Sequence, residues 1–262
     1  MKKSALVILS GGQDSTTCLF WAKNNFEVVH AITFDYGQRH AIEIESARRV
    51  AEMAKVASHE VVRIPGLLLS TSPLTSDQEL DRYASAEAMA AEVGDRIEKT
   101  FVPMRNTLFF VIAMNRAVAL GCDDLVTGIC EEDNANYPDC TGEFRDQFER
   151  LANQSLGTLV HGWLNDQCKY RVHAPLLKLD KSETVKLAHE LPGCWEALAY
   201  THTSYDGKYP PTDMNHSNVL RAFGFERAGL PDPLVVRAWR EGLMELPTTE
   251  NYSFVDKEKH VA

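Results

Sequence analysis

The apolar run ALVIL at residues 5–9 stops abruptly at Ser10-Gly11-Gly12 and gives way to DSTTCLFWAKNN, residues 14–25, whose apolar residues fall at helical spacing. A strand's length of apolar residues that enters a glycine pair and leaves as a helix reads as a strand–turn–helix unit. The unit repeats. EVVHAITFDYG (27–37) reads as a strand ending in an aspartate and a glycine, RHAIEIESARRVAEMAKVA (39–57) as a helix, and HEVVRIP (59–65) as a third strand. Strands joined through helices lie parallel, and right-handed crossovers place the helices on the faces of the sheet. The expected fold is therefore α/β, a doubly wound parallel sheet.

The alternation breaks at 66–100, which is rich in Ser, Thr, Asp and Ala and predicts a helix only near SAEAMAAEV (85–93). This stretch is read as an insertion over the sheet's edge. The pattern resumes with NTLFFVIAMNRAVALG (106–121) as a buried helix, DDLVTGI (123–129) as a strand, and EFRDQFERLANQSLG (143–157) as an amphipathic helix. YRVHAPL (170–176) is the expected fifth strand, and KSETVKLAHEL (181–191) a helix opened by Ser182. From Cys194 the pattern turns irregular. The chain is accordingly divided into an α/β domain, 1–193, and an appended element, 194–262, whose last segment, MELPTTENYSFVDKEKHVA, reads as a tail.

With 262 residues, 44% of them hydrophobic, the chain can bury one large core or a core plus a small appendage. Its first apolar run is too short for a membrane span or a signal peptide. Cysteines stand scattered at 18, 122, 130, 140, 168 and 194 with no C-x-x-C, and a chain of this size does not need disulfide staples. A cytoplasmic protein with reduced thiols is expected. A net charge of -10 without a Lys/Arg cluster argues against nucleic acid, and no segment suggests a membrane. A small molecule or a protein is the expected partner.

The chemistry concentrates at Ser10, Gly11, Gly12, Gln13, Asp14 and Ser15. Glycines let backbone N–H groups approach a polyanion, the new helix supplies its positive end, and the two serines add hydroxyl donors. The loop is neither a Walker loop, which needs a lysine in a longer turn, nor G-x-G-x-x-G.

The string S-G-G-x-D-S resembles the pyrophosphate loop of the N-type ATP pyrophosphatases (the PP-loop fold of adenine-nucleotide hydrolase type), which cleave ATP between the α and β phosphates and adenylate a substrate oxygen. Four further strings narrow the resemblance: FDYGQRH (34–40), FVPMRN (101–106), TGICEEDNANYPDC (127–140) and PLLKLDKSET (175–184). Together they are similar to the 7-cyano-7-deazaguanine synthase family over residues 4 to about 240. The resemblance implies a ligase that adenylates 7-carboxy-7-deazaguanine, releasing AMP and pyrophosphate. Ammonia then gives the amide, and a second ATP gives the nitrile. A carboxylate is a poor electrophile because oxide would have to leave; the acyl-adenylate supplies AMP as the leaving group.

It also implies roles. Catalysis falls to Asp14, Arg105 and Lys181. ATP and its pyrophosphate fall to Ser10, Gly11, Gly12, Gln13, Asp14, Ser15 and Gly128, with adenine near Phe34, Asp35, Tyr36 and Gly37. ATP and Mg2+ are the implied cofactors, with Asp14 a candidate to hold the metal directly or through water. The heterocycle has a guanine-like edge with adjacent N–H donors, which a carboxylate can accept. Glu131, Asp133 and Asp139 are the candidates, with Tyr137 as a stacking face. Asp133 and Tyr137 are put forward first, while the three acids stay unranked. A homodimer is implied by the family alone. Gln38, Arg39 and His40 are expected to begin the next helix; alone, His40 would be structural or solvent-exposed.

Two departures from the family pattern stand out. Methionine occupies 104 where glycine is usual, filling space near the reaction centre or altering the backbone. In THTSYDGKYPPTDMNHSN (201–218), the family's four cysteine positions fall on Ser204, Thr212, Asn215 and Asn218. Neutral oxygen donors bind zinc poorly, so no zinc is expected, and Cys194, His202 and His216 make a weak alternative set. Hydrogen bonds and apolar packing, with Trp195 and Trp239 contributing, are expected to hold the segment. The main expectation drawn is a zinc-less paralogue that joins the activated acid to an amine other than ammonia, a protein's amino terminus among the candidates, in the manner of the synthase-like enzymes of type IV CBASS antiviral operons. The alternatives are an ordinary 7-cyano-7-deazaguanine synthase of queuosine biosynthesis, and an inactive nucleotide-binding module.

Overall fold

The computed structural model describes residues 3–37, 42–68, 70, 72–76, 78–131, 136–161 and 167–255. In chain order the elements are β1 (Ser4–Ile8), α1 (Gln13–Asn25), β2 (Val28–Asp35), α2 (Ile42–Met53), β3 (Ser58–Arg63), α3 (Ala86–Val93), α4 (Arg105–Leu120), β4 (Asp124–Val126), α5 (Gly142–Ser155), β5 (Arg171–His173), α6 (Lys181–Glu190), α7 (Cys194–Leu198), α8 (His216–Ala228) and α9 (Pro233–Arg240). The strands form one parallel sheet in the order β3-β2-β1-β4-β5. This is the doubly wound α/β arrangement that the alternation predicts.

The central strand explains the two-faced core. On β1 and just beyond it, Ala5, Val7 and Leu9 point to one face, where they meet α1, α2, α6, α7 and α8; Leu6 and Ile8 point to the other, against α4 and α5. On β2 the alternation is the same, with Val29 and Ala31 opposite Ile32 and Phe34. A strand buried on both faces reads as continuous apolar sequence, which is why ALVIL shows no polar alternation. Burying about 25 cal/mol for each Å² of apolar surface, these two clusters supply the main driving force for the fold.

Helix α6 starts at Lys181, where the sequence reading places it, but its cap lies two residues before the expected Ser182. Asp180, not Ser182, is the cap: its Oδ1 accepts from the Glu183 amide at 2.8 Å, and Glu183 Oε2 accepts from the Asp180 amide at 2.9 Å. That reciprocal pair is a capping box, and Ser182 lies inside the first turn. Strands β4 and β5 are shorter than the apolar runs that announce them, because the chain after Val126 leaves the ladder to line the cavity described below.

Beyond Cys194 the chain forms α7, α8 and α9, with an irregular stretch at 199–215 between the first two. Cys194, Ala197 and Leu198 of α7 and Phe225 of α8 are fully buried in the same cluster as β1 and α1. Within 66–100, α3 lays Ala86, Met89 and Val93 against Val219 and Leu220 of α8, while Leu68 and Leu74 pack near Tyr36, Phe109 and Tyr205. That segment thus covers the end of the sheet where β2 terminates.

Candidate active site

At the carboxyl ends of β1, β2 and β4 lies a cavity of about 550 Å³, within the roughly 300–1,000 Å³ range of small-molecule sites. Its place follows from topology. The chain winds outward from β1 through β2 to β3 and then returns to β4 on the other side of β1, and the loops diverging there leave a crevice.

The phosphate-type loop forms one wall. Ser15 Oγ accepts from the Ser10 amide at 3.1 Å, lies 2.9 Å from Ser10 Oγ and donates to the Gly12 carbonyl at 3.2 Å. The turn is therefore closed on itself by its serines. No side chain caps α1 behind Gly12, so first-turn amides remain for an anion. Gly11 has φ +89°, and a Cβ there would collide with the Glu43 carbonyl and the Ala47 amide of α2. Gly11 shapes the turn from behind and does not line the cavity, whereas Ser10, Gly12, Gln13, Asp14 and Ser15 do. Gly128, after β4, comes so close that a Cβ would lie 3.2 Å from the Ser15 amide.

Two cations reach in from distant sequence. Lys181, the first residue of α6, is 9% exposed and holds Asp14 Oδ2 at 2.8 Å. The other carboxylate oxygen, Asp14 Oδ1, is buried without a hydrogen-bond partner. Arg105 opens α4, hydrogen-bonds Tyr36, and sits among the side chains of Tyr36, Tyr137, Tyr205 and Asp139. Met104 before it is left-handed at φ 64° and 65% exposed. It keeps the backbone geometry of a glycine and does not fill the cavity.

Phe34 and Tyr36, at the end of β2, line an apolar wall in which Phe34 stacks on Phe109 with centroids 4.2 Å apart. The acidic loop divides. Tyr137 lines the cavity, tilts against Phe101 and meets Thr100 through its hydroxyl. Glu131 also lines it, but its carboxylate is engaged by Lys178 and the Gly142 amide, which hold it below the usual carboxylate range. Asp139 is not on the wall. Its carboxyl, pushed up by burial and opposed by Arg105, faces Asn106 in the first turn of α4. Asp133 and residues 38–40 lie outside the described residues.

The sequence model of the family described as "Queuosine biosynthesis protein QueC" matches residues 4–229. The chain belongs to the QueC family. The QueC-family sequence is 47% identical over 234 residues to a 7-cyano-7-deazaguanine synthase from Gloeobacter violaceus, covering 88% of this chain and 95% of that one. Synthases of the same description from Laribacter hongkongensis and Chromobacterium violaceum are each 40% identical, covering 89% and 91% of this chain and 94% and 96% of theirs. Among solved structures, an NH3-dependent NAD synthetase from Campylobacter jejuni is a distant neighbour, with a TM-score of 0.38 at 15% identity over 73% of this chain and 65% of that one. Among the described residues no helix is long and apolar enough to cross a membrane.

In this QueC-family member the 201–218 segment is held by side-chain amides. Ser204 Oγ accepts from Asn218 Nδ2 at 2.8 Å and Asn215 Nδ2 at 3.2 Å, and Asn218 Nδ2 also reaches the Asp213 carbonyl at 2.8 Å. Asn215 Oδ1 caps α8 by accepting from the Asn218 amide at 3.2 Å. Three of the four positions thus converge, while Thr212 is exposed. Cys194 sits in the main core, where burial pushes its thiol up to about 12. His202 Nε2 faces the Ser204 carbonyl at 2.8 Å. Trp195 packs on His189 of α6 and Phe225 of α8. The segment also braces the phosphate-type loop. The His202 amide donates to the Gly11 carbonyl at 2.9 Å, and Thr201 and Thr203 are gripped by Arg221, itself paired in the interior with Asp232.

A buried amide donating two hydrogen bonds is costly to remove. Asn218→Ala is expected to lower unfolding free energy by about 1–3 kcal/mol, read from the denaturant midpoint. A metal chelator is expected to leave the wild-type midpoint unchanged; a chelator-induced drop would show that a metal, not these amides, holds the segment.

Sequence reasoning passed over Glu43, Phe109, Thr203 and Tyr205, all on the cavity wall. Phe109 had a signal: it lies four residues after Arg105 on one helix face. Glu43 and Tyr205 had none, since only the tertiary fold brings α2 and the 201–215 segment to the end of β2.

Proposed function

We propose that this QueC-family chain is an ATP-dependent 7-cyano-7-deazaguanine synthase. The observation that carries the reading is the convergence, in one cavity, of the Ser10–Ser15 loop, the Asp14–Lys181 pair, Arg105 and an aromatic wall. The relatives favour this over the amine-coupling paralogue expected from sequence. That expectation rested on the missing cysteines, and the Ser204–Asn215–Asn218 hydrogen bonds account for the segment's order as a structural brace. The relatives named above are described as 7-cyano-7-deazaguanine synthases.

In this reading the ATP phosphates lie on the amides of Gly12 to Ser15, with the positive end of α1 behind them. Lys181 and Arg105 neutralise charge that grows as pyrophosphate departs, and the Lys181 side chain is largely enclosed, where such a group acts strongly. Phe34 and Tyr36 hold the adenine. Tyr137 stacks on the heterocycle, and Asp133 is the carboxylate proposed to accept its N–H groups. Mg2+ fits here because Asp14 Oδ1 is an orphaned buried oxygen beside the loop. Asp14 would hold it directly or through water, and bound there it would offset phosphate charge. The substrate carboxylate attacks the α-phosphorus, pyrophosphate leaves, and ammonia displaces AMP from the acyl carbon. Adenylation of the amide oxygen and loss of AMP then give the nitrile.

Mass spectrometry of a reaction containing ATP, Mg2+, 7-carboxy-7-deazaguanine and ammonia tests the proposal. The nitrile is the expected product. AMP with an amide that accumulates, or a mass added to an amine acceptor, would restore the paralogue reading; no AMP would favour a binding module.

A further inference from the structure

Among the described residues, three carboxyl groups line the cavity: Asp14, Glu43 and Glu131. Two are committed. Asp14 is paired with Lys181, and Glu131 is held by Lys178 and the Gly142 amide. Glu43, in the first turn of α2, makes neither a hydrogen bond nor an ion pair to a described residue. It is nevertheless enclosed. Arg105 faces it from α4, Tyr36 from the end of β2 and Tyr205 from the segment before α8. Its own backbone carbonyl packs where a Gly11 side chain would be, which locks the start of α2 against the phosphate-type loop. Burial pushes the Glu43 carboxyl up to about 7, against the opposing pull of Arg105. A carboxyl in that range exchanges protons at neutral pH, which is the property a general base requires.

The reaction proposed above needs such a group once adenylation is complete. An amine that attacks the acyl carbon acquires positive charge, and a proton must leave its nitrogen before the amide is neutral. We propose that Glu43 is the acceptor of that proton, and so defines the subsite at which ammonia or another small amine enters. In the step, the C–N bond forms and the bond from the acyl carbon to the phosphate oxygen breaks. The electron pair of that bond leaves with AMP, and the proton on nitrogen passes to the Glu43 carboxylate. Arg105 beside it stabilises the ionised form that waits for the amine. His202 also lines the cavity, but its Nε2 faces the Ser204 carbonyl at 2.8 Å and is therefore oriented as a donor. The inference rests on the synthase reading and adds to it the residue that handles the nucleophile.

The two half-reactions separate the possibilities. ATP–pyrophosphate exchange dependent on 7-carboxy-7-deazaguanine reports adenylation without the amine, and amide plus nitrile formation reports amine transfer. Glu43→Gln is expected to keep exchange within about threefold of wild type while transfer falls roughly 10²–10⁴-fold. At fixed free ammonia, the wild-type transfer rate is expected to rise with pH through an apparent pKa near 7, and the variant is expected to lose that limb. Glu43→Asp, which keeps a carboxyl on a shorter arm, is expected to transfer at an intermediate rate with the pH limb retained. Retained exchange also shows that each variant is folded. Transfer at the wild-type rate in Glu43→Gln would overturn the proposal. A loss of exchange parallel to the loss of transfer would also overturn it, since Glu43 would then be holding Arg105 or the loop. No exchange in the wild type would remove the synthase reading, and this inference with it.

Discussion

Replacing Lys181 by alanine is expected to lower acid-dependent AMP release roughly 10²–10³-fold, the range seen when one preorganised charge-stabilising donor is removed. Two features of the site make the effect large. The ammonium is almost wholly enclosed and reaches Asp14 at 2.8 Å, so no solvent cation takes its place at equal strength. Its removal also leaves the Asp14 carboxylate, one oxygen of which is already unpartnered, without its counter-charge beside the incoming phosphates. Lys181→Arg is not a rescue, because a planar guanidinium does not reproduce a compact ammonium on a flexible stem. Quantifying AMP by chromatography, with circular dichroism to verify folding, checks the expectation. Release within threefold of wild type would show that the Asp14–Lys181 pair is a structural bridge between α1 and α6.

Gly11→Ala is expected to be the most disruptive single change in the loop. The left-handed φ of +89° alone costs a non-glycine residue about 1–3 kcal/mol, and overpacking adds about 1–3 kcal/mol. The clash is with backbone on both sides, the Glu43 carbonyl and the Ala47 amide, so no side chain can swing away. At about 2–4 °C per kcal/mol for a chain of this size, the melting temperature should fall by roughly 5–20 °C. Any α2 displacement also moves Glu43 and opens the loop, so AMP release should fall with it. A melting temperature and AMP release like the wild type's would mean that the turn tolerates a side chain and that the described geometry is not required.

How far the sequence reveals this site depends on the range of each interaction. Ser10 to Ser15 were legible because the loop is local: an apolar strand, glycines and a helix start within a dozen residues dictate the turn. The parallel sheet was legible for the same reason, through repetition. Asp180 was missed as the cap of α6 because Ser182 is also a good capping residue, and only the Glu183 reciprocity selects between them. The chain beyond Cys194 looked irregular because α7 is a single short turn of helix and α8 is buried around most of its surface, so neither shows a clean amphipathic period. Their burial against α1 and α6 is a tertiary fact. Glu131 and Asp139 show the opposite limit. Their acidity was legible, but not that Lys178 and the start of α4 take up their carboxyl groups. Glu43, hidden in an ordinary charged helix start, gains its character from burial, against the pull of Arg105, and no local window contains either.

The central claim is that the enzyme activates its substrate by transferring AMP to a carboxylate oxygen. Heavy-oxygen labelling tests it most directly. With 7-carboxy-7-deazaguanine labelled at both carboxylate oxygens, each AMP released on the way to the nitrile is expected to carry one labelled oxygen, because each leaves with an oxygen that began on the acid. Unlabelled AMP, with the label retained in the product or released to water, would contradict adenylation and the function built on it.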